Sequence, residues 1–210
     1  MQYQGRPGGN LYVDAVETFT ALLGETGAIP SVGRVEEKLG LKPGALSAVF
    51  RDESQLVCAM AQNAWMRLHD QCVRVLAGAT ESDPVTQFEL LAEVYIDWAH
   101  QHPREFTLIG SMPADEFQGN EELMRYETAI HELMLRMLAR ARDERMLDRD
   151  ENLPLLVSTA HTFAYGAISK MMLGDLSRWV PGWTDREVAR DMLHLFIRKM
   201  LRPTPELVEA

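Results

Sequence analysis

Two short amphipathic segments, separated by a glycine-containing turn, lie between Gly27 and Leu56 and constrain the fold more than any other feature. Ser31 is suited to cap the N-terminus of a first helix, and Gly40 is suited to end it. Pro43 then stands where the first turn of a second helix tolerates proline. The positions expected to face inward are Val32, Val35, Leu39, Leu46, Val49 and Phe50. We therefore predict a helix–turn–helix, whose second helix can enter the major groove of DNA.

Apolar residues recur at helical spacing through the rest of the chain, and no useful stretch alternates as a β-strand does. This pattern predicts an all-α protein of about nine helices, with an N-terminal three-helix helix–turn–helix domain and a larger helical domain. The apolar late helices and the aromatic residues described below are the reason to expect ligand binding and dimerisation in the larger domain. The predicted boundaries are a flexible arm at residues 1–10, a DNA-binding-like helix–turn–helix domain at 11–52, a helical regulatory and dimerisation domain at 53–203, and a tail at 204–210.

The charge of the chain limits how it can meet nucleic acid. A formal net charge of −10 over 210 residues argues against non-specific binding of nucleic acid or of a membrane surface by the whole chain. Residues 1–57 hold five basic and seven acidic groups, so the helix–turn–helix region is not basic. Cys58 and Cys72 cannot define a disulfide framework, and the start of the sequence has no signal-peptide pattern. We expect a cytoplasmic protein.

The stretch Leu153–Leu173 carries a single formal charge, Lys170, and has the length of a membrane span. Its hydroxyl side chains, His161 and the early Pro154 argue against a span. A helix that is apolar on most sides is more often buried against other helices. We expect a homodimer that forms through Leu153–Leu173 and Asp185–Leu201, and we expect no membrane partner.

A run of packing and turn positions around the motif keeps one register: Leu22, Leu23, Gly27, Ser31, Val32, Val35, Leu39, Gly40, Leu41, Gly44, Leu46, Phe50 and Leu56. This register resembles that of the TetR family of bacterial transcriptional regulators. His102 to Phe106 is similar to a helix break that the family often has, and Arg145 to Leu173 is similar to its late connector and first dimerisation helix. The resemblance implies a ligand-responsive regulator of the repressor type, which binds operator DNA as a dimer.

The resemblance also implies a set of DNA-contacting residues, namely Arg34, Lys38, Lys42, Gly44, Ala45, Ser47, Ala48 and Arg51. Three positions depart from the family's pattern. Glu36 replaces a small alanine, Ser47 replaces a tyrosine that donates to phosphate, and Glu53 replaces a lysine that pairs with phosphate. These departures keep a second interpretation open, in which a TetR-like fold serves as a dimeric small-molecule or protein-binding module with weakened or lost DNA binding.

Aromatic and methionine residues concentrate in the middle of the chain, and such residues line ligand cavities between bundle helices. The candidate ligand-binding residues are Trp65, His69, Tyr95, Trp98, Met134, Met137, His161, Phe163 and Tyr165. The resemblance implies an inducer cavity among them, and plain core packing is the alternative. The expected ligand is an apolar or aromatic small molecule.

The sequence contains no glycine-rich phosphate loop, zinc-protease helix or nucleophile elbow. Glu127 and His131 are four residues apart, a spacing that places both on one helix face. Two ligands do not make a metal site, and such a pair is typical of a helix surface. We therefore expect no catalytic residue, no metal and no cofactor.

Overall fold

A computed structural model describes residues 10–79 and 82–201 of the chain, and every regular element in this part is helical. The helices are α1 (Leu11–Thr26), α2 (Val32–Lys38), α3 (Glu53–Ala77), α4 (Pro84–Gln101), α5 (Pro103–Gly110), α6 (Ala114–Gln118), α7 (Glu121–Asp143), α8 (Leu153–Met172) and α9 (Asp185–Met200), with a short 3₁₀ turn at Ser177–Trp179. The all-α prediction is confirmed. Of the predicted arm and tail, only Asn10 falls within the described residues.

The described chain divides into two compact units that alternate along the sequence. The first unit contains residues 10–67 and 102–126, and the second contains residues 68–79, 82–101 and 127–201. The helix–turn–helix region therefore shares its unit with the N-terminal part of α3, with α5 and α6, and with the start of α7.

In the first unit, α1 packs against α2 and α5. Asn10 caps α1 by accepting a hydrogen bond from the backbone N–H of Tyr12, and Gly27 ends it with a positive φ of 71°. The side chains that α1 buries are Ala15, Val16, Phe19, Leu22 and Leu23. These residues recur at three- and four-residue intervals, so one apolar face of α1 forms much of the core of this unit.

The break between α4 and α5 falls at His102 and Pro103, as the sequence predicts. Pro103 opens α5, where a missing N–H costs nothing. Glu105 in the first turn is only 4% exposed, and its carboxylate contacts the guanidinium of Arg67 from α3. Its other oxygen lies 3.2 Å from Nδ1 of His102. Because a buried carboxylate needs such partners, this cluster fixes the start of α5 against α3.

In the second unit, α9 packs against both α4 and α8. A ladder of ion pairs joins α4 to α9: Glu89 with Arg198, Glu93 with Arg190 and with His194, and Asp97 with Arg186. Low numbers on α4 pair with high numbers on α9, so the two helices run antiparallel. Beneath the ladder, α9 buries an apolar row of Val188, Ala189, Leu193 and Ile197.

The stretch predicted not to cross a membrane forms α8, and no helix in the described part of the chain has both the length and the apolarity to span a bilayer. Asn152 caps α8 by accepting from the backbone N–H of Leu155. Its buried residues are Leu153, Val157, Ala160, Ala167, Ile168 and Met171. Leu155 is left 63% exposed, and Leu195 on α9 is 58% exposed.

Candidate functional site

The second part of the helix–turn–helix, residues 43–49, is a series of hydrogen-bonded turns; we call it the recognition segment. Ser47 N–H donates to the carbonyl of Gly44, and Val49 N–H donates to the carbonyl of Leu46, each three residues back. Phe50 N–H donates to the same Leu46 carbonyl from four residues on, so the turns do not continue as one regular helix, and the prediction of a second helix here is wrong. Leu46 and Phe50 face the core as predicted, but the prediction for Val49 is wrong. Its side chain is 36% exposed.

Glu36 connects α2 to the recognition segment. The residue is 5% exposed, and its two carboxylate oxygens accept from the backbone N–H groups of Gly44, at 3.0 Å, and of Leu46, at 2.8 Å. Gly44 has a φ of +83°, a conformation that glycine adopts without strain. An alanine at position 36 could not accept these hydrogen bonds. The glutamate that replaces the family's alanine therefore has a structural role, because its carboxylate fixes the recognition segment to α2.

Glu53, the first residue of α3, also bonds across the motif. Its Oε1 accepts from the backbone N–H of Val32, the first residue of α2, at 3.1 Å. The Ser31 hydroxyl accepts from the N–H of Arg34 at 3.2 Å, as its predicted capping role requires. Free N–H groups at a helix N-terminus favour anions, including phosphate. A carboxylate already occupies this position of α2.

The four predicted DNA-contacting cations fall into two pairs. Arg34 pairs with Glu37 at 2.5 Å, and Lys38 lies 3.7 Å from Glu25. Lys42 and Arg51 are exposed, and no carboxylate among the described residues lies within 4.0 Å of either side chain nitrogen. These two cations stand at the two ends of the recognition segment.

The other predicted DNA-contacting residues all lie in the recognition segment. Gly44, Ser47 and Ala48 are exposed, whereas Ala45 is half-buried. The hydroxyl of Ser47 donates to the carbonyl of Gly44 at 2.7 Å, so its proton is used within the segment.

Four of the predicted ligand-binding residues come together in the second unit. The ring of Tyr95 on α4 stacks on Trp98, with centroids 6.1 Å apart, and on His161 of α8, with centroids 6.3 Å apart. Tyr165 is close enough to Tyr95 to raise its pKa. We call Tyr95, Trp98, His161 and Tyr165 the aromatic cluster.

The sequence analysis missed two members of the same neighbourhood. Glu127 and His131 of α7 were interpreted as a surface pair, yet burial raises the pKa of Glu127, and the His131 charge only partly offsets this effect. Desolvation lowers the pKa of His161, and the charge of His131 lowers it further. Burial also raises the pKa of Tyr95, and the charges of Tyr165 and Glu127 add to the shift. In each of these three groups, Tyr95, Glu127 and His161, burial shifts the pKa towards the uncharged form.

The remaining candidates lie elsewhere. Phe163 stacks on Phe196 of α9, with ring centroids 4.5 Å apart. Phe163 and His161 are two residues apart on α8, which is about 200° around the helix axis, so they lie on different faces. Trp65 belongs to the first unit, where its ring meets the edge of Phe117. His69 lies 3.3 Å from the carboxylate of Asp70. Met137 is buried and Met134 is half-buried in α7.

Within the described residues, no three His, Cys, Asp or Glu side chains lie close enough together to hold a metal ion. Cys72 is buried, and burial raises the pKa of its thiol to about 12, so the thiolate is scarce at neutral pH.

The first unit holds α1, α2 and the recognition segment, which follow one another as the parts of a helix–turn–helix domain do, and the second unit holds α4, α8 and α9. Residues 88–196 match the family model described as "Tetracyclin repressor-like, C-terminal domain". This match covers more than half of the 210 residues, and the chain belongs to the TetR family of transcriptional regulators.

Solved structures of other proteins share the fold. A protein with unknown function from Rhodococcus sp. RHA1 is 20% identical with a TM-score of 0.78, over 95% of this chain and 100% of that one. The fatty acid degradation regulator FadR from Bacillus halodurans is 10% identical with a TM-score of 0.68, over 90% and 95% of the two chains. The ketosteroid transcriptional regulator KstR2 of Mycobacterium tuberculosis is 14% identical with a TM-score of 0.64, over 96% and 97%. The chain matches no curated protein in sequence.

Removing the Glu36 carboxylate should destabilise the protein. Glu36→Ala leaves two N–H groups of the recognition segment without their acceptor, and hydrogen bonds to charged groups contribute about 1.5–3 kcal/mol each. We expect a loss of about 3 kcal/mol in the free energy of unfolding, the lower end for two such bonds, measured by urea denaturation and circular dichroism. Glu36→Gln, which keeps one acceptor, should lose less. Glu17→Ala, at an exposed glutamate of α1, is the matched control, and equal stability of the two alanine variants would contradict the role of Glu36.

Proposed function

We propose that the protein is a cytoplasmic, homodimeric repressor that binds operator DNA and releases it when a small molecule binds. One observation carries the DNA-binding part of this proposal. The recognition segment is exposed, a buried carboxylate holds it in place, and Lys42 and Arg51 flank it without an acidic partner among the described residues. Unpaired cations on either side of a fixed segment suit the phosphates on either side of a groove.

The exposed face of α8 supports a homodimer through Leu153–Leu173 and Asp185–Leu201. Most of the exposed positions on this face are uncharged, namely Pro154, Leu155, Ser158, Thr159, Thr162 and Gly166. Small residues let a second helix approach closely, and Leu195 continues the apolar surface onto α9. A second copy of the chain would cover both helices. The dimer would then hold two recognition segments at a fixed distance. This distance must match a whole number of DNA turns between the two half-sites.

The aromatic cluster supports ligand binding in the second unit. Stacked rings and groups whose pKa is shifted towards the uncharged form suit an apolar or aromatic molecule with one or two polar atoms. Two proteins that share the fold are a fatty acid degradation regulator and a ketosteroid regulator, both named for apolar compounds. A ligand can shift the protein between DNA-binding states only if it binds one state more tightly than the other.

A second candidate function is a dimeric small-molecule or protein-binding module that does not bind DNA. The position of Glu53 favours it, because its carboxylate already accepts from the first N–H of α2 and would repel a phosphate there. The two candidate functions differ in one measurable property, the affinity for any duplex at low salt.

Lys42→Ala and Arg51→Ala should each weaken binding to duplex DNA. The duplex is chosen by random-oligonucleotide selection with the purified wild type, and affinity is measured by fluorescence anisotropy at several salt concentrations. Each lost phosphate contact should reduce the slope of log affinity against log salt by about 0.9. Arg149→Ala, at an exposed arginine of the α7–α8 connector, should leave the slope unchanged.

Glu53→Gln provides the opposite test on the same duplex. Its amide oxygen can still accept from Val32, so the fold should keep its stability, and the loss of the negative charge should strengthen binding. Glu53→Lys loses the acceptor and should cost stability. If no duplex binds wild type or Glu53→Gln at low salt, the second candidate function is correct and the repressor proposal is wrong.

Leu195→Glu and Leu155→Glu should each convert the dimer into a folded monomer. Both side chains are largely exposed in the single chain, so a charge there meets water unless a partner covers it. Sedimentation equilibrium should give a dimer for wild type and a monomer for both variants, with unchanged helical circular dichroism. Val73→Glu, at a 42% exposed valine of α3, is the control and should remain dimeric. A monomeric wild type at micromolar concentration would refute the dimer.

His161→Ala should weaken binding of a neutral aromatic probe. We suggest 1-naphthol, measured by isothermal titration calorimetry, because it combines stacking with a single hydroxyl. Loss of one stacking and hydrogen-bonding partner, about 1.4 kcal/mol, should raise the dissociation constant about tenfold. His100→Ala, at an exposed histidine near the end of α4, should bind as wild type does. Equal affinity of both variants would place the ligand site elsewhere.

A further inference from the structure

The exposed side chains of the recognition segment are small or apolar. Ser47, Ala48 and Val49 are exposed, Gly44 is exposed without a side chain, and none of them carries the paired donors or acceptors that Arg, Asn or Gln present to a base. Bidentate pairing with guanine or adenine needs such a side chain. The segment therefore has little capacity to select a base by hydrogen bonding.

The polar groups of the segment are also largely used within the protein. Glu36 accepts from the N–H groups of Gly44 and Leu46, and the Ser47 hydroxyl donates to the Gly44 carbonyl. The N–H groups of Ala45 and Val49 donate to carbonyls three residues earlier. A base edge that approached the segment would find few free donors. Its main partners would be the methyl groups of Ala48 and Val49.

One base offers the matching group. Thymine is the only standard DNA base with a methyl group in the major groove, and apolar side chains recognise it by direct contact. In the turns of the segment, Val49 is 36% exposed and adds a branched apolar side chain next to the exposed Ala48, whereas the predicted helix would have buried it. Lys42 and Arg51, at the ends of the segment, remain available for phosphates.

We propose that the recognition segment selects its operator by contact of Ala48 and Val49 with thymine methyl groups, while Lys42 and Arg51 bind the flanking phosphates. This inference rests on the proposed DNA binding. It further specifies that the half-site contains thymines at the contacted positions. It assigns sequence specificity to apolar contacts and not to hydrogen bonds.

Replacement of thymine by uracil removes the methyl group and leaves the base pairing unchanged. In the selected operator, each contacted thymine is replaced by uracil in turn, and the affinity is measured by fluorescence anisotropy at fixed salt. We expect a loss of about fourfold for each contacted methyl group, from the burial of one apolar carbon. Thymines outside the half-sites serve as controls and should give no loss.

The Val49→Ala variant connects this loss to a residue. Its side chain is exposed, so the fold should survive, and the penalty for uracil at the position that Val49 contacts should shrink towards none. Val73→Ala, at an exposed valine of α3, should show the full penalty. A double-mutant comparison of this kind isolates the contact between one side chain and one methyl group.

The possible failures are distinguishable. If the operator binds but uracil has no effect at any position, or if Val49→Ala leaves every uracil penalty unchanged, thymine contact by Val49 is refuted while DNA binding stands. Selection of half-sites without thymine would refute the inference in the same way. If no duplex binds at low salt, the proposed repressor function fails together with the inference.

Discussion

The carboxylate of Glu36 is the interaction on which the candidate DNA-binding surface depends. It lies almost fully buried and accepts from two backbone N–H groups of a segment that is otherwise a short series of turns. A segment of this length has little helical stability of its own. The Glu36 side chain of α2 therefore fixes the backbone of the recognition segment. The exposed side chains of the segment can be small without loss of order. Buried acceptors of this kind impose a unique arrangement, because any other leaves them unsatisfied.

The carboxylates around α2 determine the electrostatics of the surface. Glu53 occupies the first N–H of the helix, while Arg34 and Lys38 are paired with glutamates. Two cations of the region, Lys42 and Arg51, have no such partner among the described residues. Under the proposed function, so few charges require that affinity for DNA come from surface complementarity, and it should fall steeply with any change in that surface. The apolar character of the recognition segment is consistent with this requirement.

Periodicity and cap residues predicted most of the helices, because these signals act over a few residues, but the predicted second helix of the motif is a series of turns. Ser31 caps α2 and the His102–Pro103 break separates α4 from α5, both as the sequence predicts. The role of Glu36 depends on hydrogen bonds to residues eight and ten positions later, which local spacing cannot reveal. The ligand candidates were chosen by residue type alone, so Phe163 was grouped with His161 although helix geometry places them on opposite faces. Glu127 was predicted to lie on the surface because it is charged. Its burial depends on the packing around α7, which residue type does not show.

The ladder between α4 and α9 has a property that the individual ion pairs do not have. Its acids and its bases both repeat every four residues, and Glu93 contacts two successive bases, Arg190 and His194. Sliding α9 by four residues, about 6 Å, would pair most of the same charges again. The electrostatic attraction between α4 and α9 is thus nearly equal in the observed register and in the register shifted by four residues. The packing of the apolar row beneath it is not equal in the two, because Ala189, Leu193 and Ile197 differ in volume, so a slide by four residues would put a side chain of another size at each buried position. Partly exposed ion pairs add little stability, so the sizes of three buried side chains decide the register of the two helices.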